Sequence, residues 1–140
     1  MAKEDCIFCQ IVAGRAEASK VFENHELLAF LDINPLSAGH TLIIPKEHYE
    51  NILDIPDDII SDISVLAKTI GRRMIESLGA EGINVMHATG RAAGQSVFHY
   101  HVHVLPRKRG DRVGFEEWWF SRTLHPTRDE LDEVSNRIRL

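Results

Sequence analysis

Ser96-Val97-Phe98-His99-Tyr100-His101-Val102-His103-Val104-Leu105, followed by Pro106, reads as a β-strand, because β-branched or aromatic residues flank each histidine and proline marks the end. Side chains alternate across a strand. His99, His101 and His103 therefore project from one face, and Tyr100, Val102 and Val104 from the other, where they suit burial. Three imidazoles in a row are costly as core residues, since each buried ring needs a polar partner. A chemical site explains them; a solvated sheet face and a metal site made of all three are the alternatives. Gly94-Gln95-Ser96 stands directly before the run and adds a flexible backbone, an amide and a hydroxyl. Glycine lets backbone N–H groups approach a phosphate closely.

Working outward, Asp5 to Val12 reads as a short helix with Asp5 as cap, and puts Cys6 and Cys9 on one face. Lys20 to Glu23 and Leu27 to Asp32 read as paired strands joined through Asn24-His25. Asn34 to Gly39 is a loop, and His40 to Ile44 a strand ended by Pro45. Pro56 to Leu78 is the clearest helix: Ile59, Ile63, Leu66, Ile70, Met74 and Leu78 recur at helical spacing, Asp57 and Asp58 sit in the first turn, and Gly79 follows. Ile83 to Met86 is a further strand. Arg107-Lys108-Arg109-Gly110 is a basic turn. Thr127 and Glu130 form a capping box for a last helix with Leu131, Val134 and Ile138 as its buried stripe. The expected architecture is α+β: a mainly antiparallel five-stranded sheet, one long helix and short terminal helices. Residues 1–110 form the domain, and residues 111–140 a tail packed on it.

The chain has 140 residues, 44% apolar and 26% charged, the balance of one globular domain. Its net charge of −5 argues against a nucleic-acid partner, though a local site can still take one small phosphate compound. The start is polar and no apolar run approaches the ~20 residues needed to span a bilayer, so a cytoplasmic protein with no membrane contact is expected. The two cysteines, Cys6 and Cys9, are spaced C-x-x-C, which in a reducing compartment favours metal or redox chemistry over a disulfide.

The run Gly94 to Val104, apolar residues alternating with three histidines, resembles the signature of the histidine triad superfamily. Cys6-Ile7-Phe8-Cys9, Leu28 to Pro35 and Gly39 to His48 are similar to the same family, in order. The resemblance implies a nucleotide hydrolase or transferase in which His101 attacks the α-phosphorus, forms a nucleotidyl-histidine, and is freed by water. It implies phosphate contacts from His103, Ser96 and the backbone of Gly94, Gln95 and Ser96, with His40 as a fourth histidine supporting the network. The nucleoside of a purine nucleotide substrate would lie near Ile7, Phe8, Phe30 and Ile33, with Asp32 accepting from the ribose hydroxyls. Core packing for the aromatics and a turn role for Asp32 are the plainer readings of those residues. The family also implies a homodimer with the two sheets joined; Ile60, Val65 and Ile75, outside the main helical stripe, are candidates for that contact.

In some branches of the family, a structural zinc is held by two N-terminal cysteines, the histidine of the Pro-Lys-x-His block and the first triad histidine. Here these are Cys6, Cys9, His48 and His99, a donor set that suits tetrahedral zinc. Many relatives carry asparagines in the segment equivalent to His87-Ala88-Thr89, and this chain has none, leaving Thr89 or His87 as substitutes. The basic turn resembles the branch that cleaves dinucleoside polyphosphates, where it could hold a longer phosphate chain. A dinucleoside polyphosphate hydrolase, a zinc-stabilised nucleotide-binding or interaction module, and redox signalling through Cys6 and Cys9 remain as alternative functions.

Overall fold

The computed structural model describes residues 3–140; Met1 and Ala2, the first residues of the polar start and of the expected 1–110 domain, lie outside the described residues. The sheet has five strands in the order β1-β2-β3-β5-β4, all neighbours antiparallel: β1 (Lys20–Glu23), β2 (Leu27–Leu31), β3 (Thr41–Pro45), β4 (Gly82–Met86) and β5 (Val102–Arg107). With helices α1 (Ile7–Val12) and α2 (Asp57–Leu78), this is the expected α+β architecture.

Local chemistry explains the connections. Asn24 Oδ1 accepts from the backbone N–H of Glu26 (2.9 Å) and Leu27 (2.7 Å), which turns β1 into β2 without the usual glycine. Asp57 and Asp58 complement the positive end of α2, and Gly79 closes it in the left-handed region at φ 67°.

The sheet is covered on both faces, which is why β2 and β3 read as continuous apolar runs. On one face Leu27, Ala29, Ile43, Val102 and Val104 pack against Ile63, Leu66, Ala67, Ile70 and Met74 of α2. On the other, Leu28, Phe30, Leu42 and Ile44 pack against Phe8 and Ile11 of α1. Leu28, Ile43 and Ile44 are wholly buried, each stabilising the fold by about 1.5–3 kcal/mol.

Several details depart from the sequence reading. Helix α1 starts at Ile7, and its cap is Cys6, whose sulfur accepts from Cys9 N–H, not Asp5. The strand expected over 96–105 begins only at Val102 and continues through Pro106 to Arg107. Proline is tolerated there because Pro106 lies beyond the last β3 partner of β5, which is Val104. Leu78 leaves the α2 stripe as the helix ends and lies over Gly39, whose missing side chain makes the room. Ile60, expected outside that stripe, is partly buried against the core. Beyond β5, α3 (Phe115–Ser121) was not anticipated. The last helix, α4 (Arg128–Ile138), forms with its capping box intact, but Leu131, Val134 and Ile138 are 44%, 53% and 73% exposed. Their stripe is therefore not buried against this chain.

Candidate active site and metal-binding cluster

Irregular backbone, not a strand, carries His99 and His101, and three hydrogen bonds hold it. Tyr100 N–H donates to Tyr49 O (2.6 Å), His99 Nε2–H to Pro45 O (2.8 Å), and His101 Nδ1–H to His99 O (2.8 Å). The last bond assigns the His101 tautomer: Nδ1 carries the proton, so Nε2 keeps its lone pair. The ring is braced edge-on by Phe8, at 5.2 Å, and by His103, at 5.1 Å.

His103 is set by a relay. Leu36 N–H donates to His40 Nδ1 (3.1 Å), so His40 is protonated on Nε2 and donates to His103 Nδ1 (2.8 Å). Neutral His103 is then left with an Nε2–H to give. His40 is buried and does not line the cleft; its link to the cleft is the bond to His103, with Asp32 Oδ2 at 3.7 Å from its Nε2. Burial pushes His103 down to about 4, with His101 and His40 adding to the effect, and burial lowers His101 as well. Both rings are therefore neutral near pH 7.

His101 and His103 open into a cleft of about 550 Å3. Ile7, Phe8, Phe30, Asp32, Ile33, Gly94, Gln95 and Ser96 all line it. Phe8 and Phe30, an edge-to-face pair 5.5 Å apart, are buried and form the floor, while Ile33, 88% exposed, stands at the rim. Asp32 Oδ1 accepts from Asn34 N–H (2.8 Å), so one oxygen serves the turn, as the plainer reading held, and Oδ2 faces the histidines.

Gln95 corrects an expectation. Its buried amide is already committed: Oε1 accepts from Gly90 N–H (2.8 Å), and Nε2 donates to Glu50 O (2.7 Å) and Val97 O (3.2 Å). The side chain shapes the loop and has no amide hydrogen-bonding capacity ready for a phosphate. Nor do His87 and Thr89 replace the asparagine. His87 packs its ring on Tyr100 (5.5 Å), whose side chain faces α2, and Thr89 Oγ1 accepts from Ile52 N–H (3.5 Å); Ala88 lines the cleft instead. The basic turn is also remote. Arg107 lies six residues beyond His101, about 20 Å along the strand, and its guanidinium is paired with Asp111 (2.7 and 3.0 Å) and Asn84 (2.8 Å). It cannot hold a phosphate chain that starts at His101. Glu17 and Leu42, by contrast, line the cleft and were not anticipated. Leu42 could have been placed from its alternation with Ile44; Glu17, on irregular chain before β1, gave no periodic signal.

On the far side of Phe8, one donor atom from each of Cys6, Cys9, His48 and His99 lies within 4.8 Å of the others. Cys9 Sγ is 3.3 Å from His48 Nδ1 and 3.5 Å from His99 Nδ1, and Cys6 Sγ is 3.4 Å from His99 Nδ1. Because His99 gives its Nε2–H to Pro45, its Nδ1 is the bare nitrogen that a ligand must offer. Burial lowers His99 to about 4 and also lowers His48, keeping both rings neutral, and it raises the Cys6 thiol. A cation at the centre would reverse that last effect by stabilising the thiolate, so the donor set fits a soft divalent metal.

The sequence model of the HIT domain family matches residues 13–110. The adenylylsulfatase HINT3 of Arabidopsis thaliana is 34% identical over 136 residues, covering 97% of this chain and 66% of its own length. The crystal structure of SMU.412c from Streptococcus mutans superposes with a TM-score of 0.88 at 36% identity, over 99% of this chain and 85% of that one. A zinc-bound histidine triad family protein from Mycobacterium smegmatis superposes with a TM-score of 0.76 at 38% identity, over 90% and 86% of the two chains.

The depressed histidines set the acid limit of stability. His103 in the unfolded chain takes up a proton near pH 6.5, whereas in the folded chain it does so only near pH 4. Stability is thus full above about pH 6.5 and falls as pH drops from there towards 4. Urea midpoints at pH 7.5 and 5.0 should show the fall, and His103→Asn should show a smaller one; a midpoint independent of pH would refute neutral burial of the ring.

Proposed function

Because this chain belongs to the HIT domain family, we propose that it is a nucleotide hydrolase or transferase acting at the α-phosphorus of a purine nucleotide conjugate, such as a nucleoside phosphoramidate. The observation that carries this reading is the His101 Nδ1–H bond to the His99 carbonyl, which leaves Nε2 unprotonated in the cleft. In the reaction, Nε2 attacks the α-phosphorus, the bond to the leaving group breaks, and water then cleaves the nucleotidyl-histidine to release the nucleoside monophosphate. His103 Nε2–H and the exposed Ser96 hydroxyl donate to the phosphoryl oxygens as charge develops there. His40 positions His103. Asp32 Oδ2 accepts from the ribose, and Phe8, Phe30 and Ile33 supply apolar walls for the base. The resemblance to a protein named adenylylsulfatase supports the wider reaction class. A dinucleoside polyphosphate substrate is less well supported, since the basic turn lies at the other end of β5.

We further propose that Cys6, Cys9, His48 and His99 hold a zinc ion, in line with the zinc-bound relative. Bound there, zinc would act structurally, with four protein ligands and no place for water. The residues themselves tie α1 to the backbone that carries His101. The same reading assigns a second copy of this chain to the shallow depression of about 660 Å3 between α2 and the edge strand β4, where Ile75 and Val85 are half exposed.

Three measurements test these readings. With adenosine 5′-phosphoramidate, His101→Ala should lose at least about three orders of magnitude in kcat, the scale of losing a nucleophile, and His103→Ala about 10²–10³; equal turnover by His101→Ala and wild type would overturn the assignment. Metal analysis should find one zinc per chain in wild type and none in the Cys6→Ala, Cys9→Ala double variant. Light scattering should give twice the 15.9 kDa chain mass, and a monomer mass at micromolar concentration would rule out the dimer.

A further inference from the structure

The cleft has a direction. It crosses the sheet from β5 towards β1, and with strands about 4.8 Å apart in the order β1-β2-β3-β5, its two ends are about 14 Å apart. His101 and His103 occupy the β5 end. Asp32, just after β2, lies between. Glu17 lies three residues ahead of β1, on a segment joined to β2 by Leu31 N–H donating to Ser19 O (3.0 Å), and it lines the same cleft. Ile11, Ala18 and Leu31, all apolar, line the cleft as well. No lysine or arginine lines the cleft, and among the described residues Glu17 has no hydrogen bond or ion pair. A solvent-exposed carboxylate with no partner among the described residues therefore stands towards the β1 end of the cleft, where a nucleotide with its phosphate at His101 and its ribose at Asp32 puts its base.

We propose that Glu17 reads the base and makes guanine the preferred one; this rests on the reading of the cleft as a nucleotide site. An ionised carboxylate only accepts hydrogen bonds. Guanine presents two adjacent donors, N1–H and the exocyclic N2–H, that match its two oxygens, and charge-assisted bidentate pairs of this kind are among the stronger polar contacts. Adenine presents one donor, N6–H, beside the bare N1, whose lone pair faces the second oxygen. Cytosine has the same mismatch, and uracil flanks its single N–H with two carbonyls. The exposed side chain carries no packing of its own, so substitution leaves the fold in place.

Calorimetric titration with guanosine and adenosine 5′-monophosphate tests this without needing turnover. Wild type should bind the guanine nucleotide about tenfold or more tightly than the adenine one. E17Q replaces one acceptor by a donor, which fits adenine N6–H and N1, so its preference should shift towards adenine by a similar factor. E17A should bind the two alike. Equal affinities in wild type, or a guanine preference unchanged in E17Q, would overturn the proposal. If neither nucleotide binds, the reading of the cleft falls together with it. If the preference appears but guanosine 5′-phosphoramidate is not turned over, the hydrolase reading fails while the role of Glu17 stands.

Discussion

A single hydrogen bond, from His101 Nδ1–H to the carbonyl of His99, is the constraint on which the site depends. It decides which ring nitrogen carries the proton and where the other points. The carbonyl can do this only if its own residue is immobile. His99 is wholly buried, its ring is tied to Pro45, and the next residue is tied to Tyr49. The bare Nε2 is thus oriented by the backbone, and the backbone by the sheet.

The two side-chain clusters are parts of one arrangement. Phe8 packs edge-on against both His99 and His101. It sits in α1 between Cys6 and Cys9, so whatever orders the cysteine end of that helix also fixes one wall around His101. On the other side, His40 and Leu36 set His103 by the same means, a backbone N–H that determines a tautomer one ring away. Burial keeps both imidazoles neutral, as the proposed nucleophile and its proposed donor require, and the same burial makes the fold sensitive to acid.

Much of this was legible in the sequence because it depends on short-range pattern. Short apolar runs bounded by turn residues gave β2 and β3, and helical spacing gave Ile63, Leu66, Ile70 and Met74. The histidine run and the C-x-x-C pair marked the two clusters. What failed did so where long-range contacts override local pattern. Residues 96–101 have strand-like composition, but the facing segment after Pro45 turns away, so they are held by isolated bonds and not by a ladder. Gln95 has a polar amide beside the site, and only the loop closure at Gly90 and Glu50 reveals that it is already used. The apolar stripe of α4 has helical periodicity, yet periodicity says which face is apolar and not what will cover it.

Residue types and spacing by themselves determined the α+β class, the position of the long helix, and the presence of three alternating histidines and a C-x-x-C pair, because these follow from covalent order and the two backbone periods. Only the tertiary structure decided which nitrogen of each imidazole is bare, that His40 meets the cleft only through its bond to His103, that the basic turn is remote, and that Glu17 shares the cleft. Each of those depends on groups far apart in sequence meeting across the sheet, and no local pattern specifies that distance.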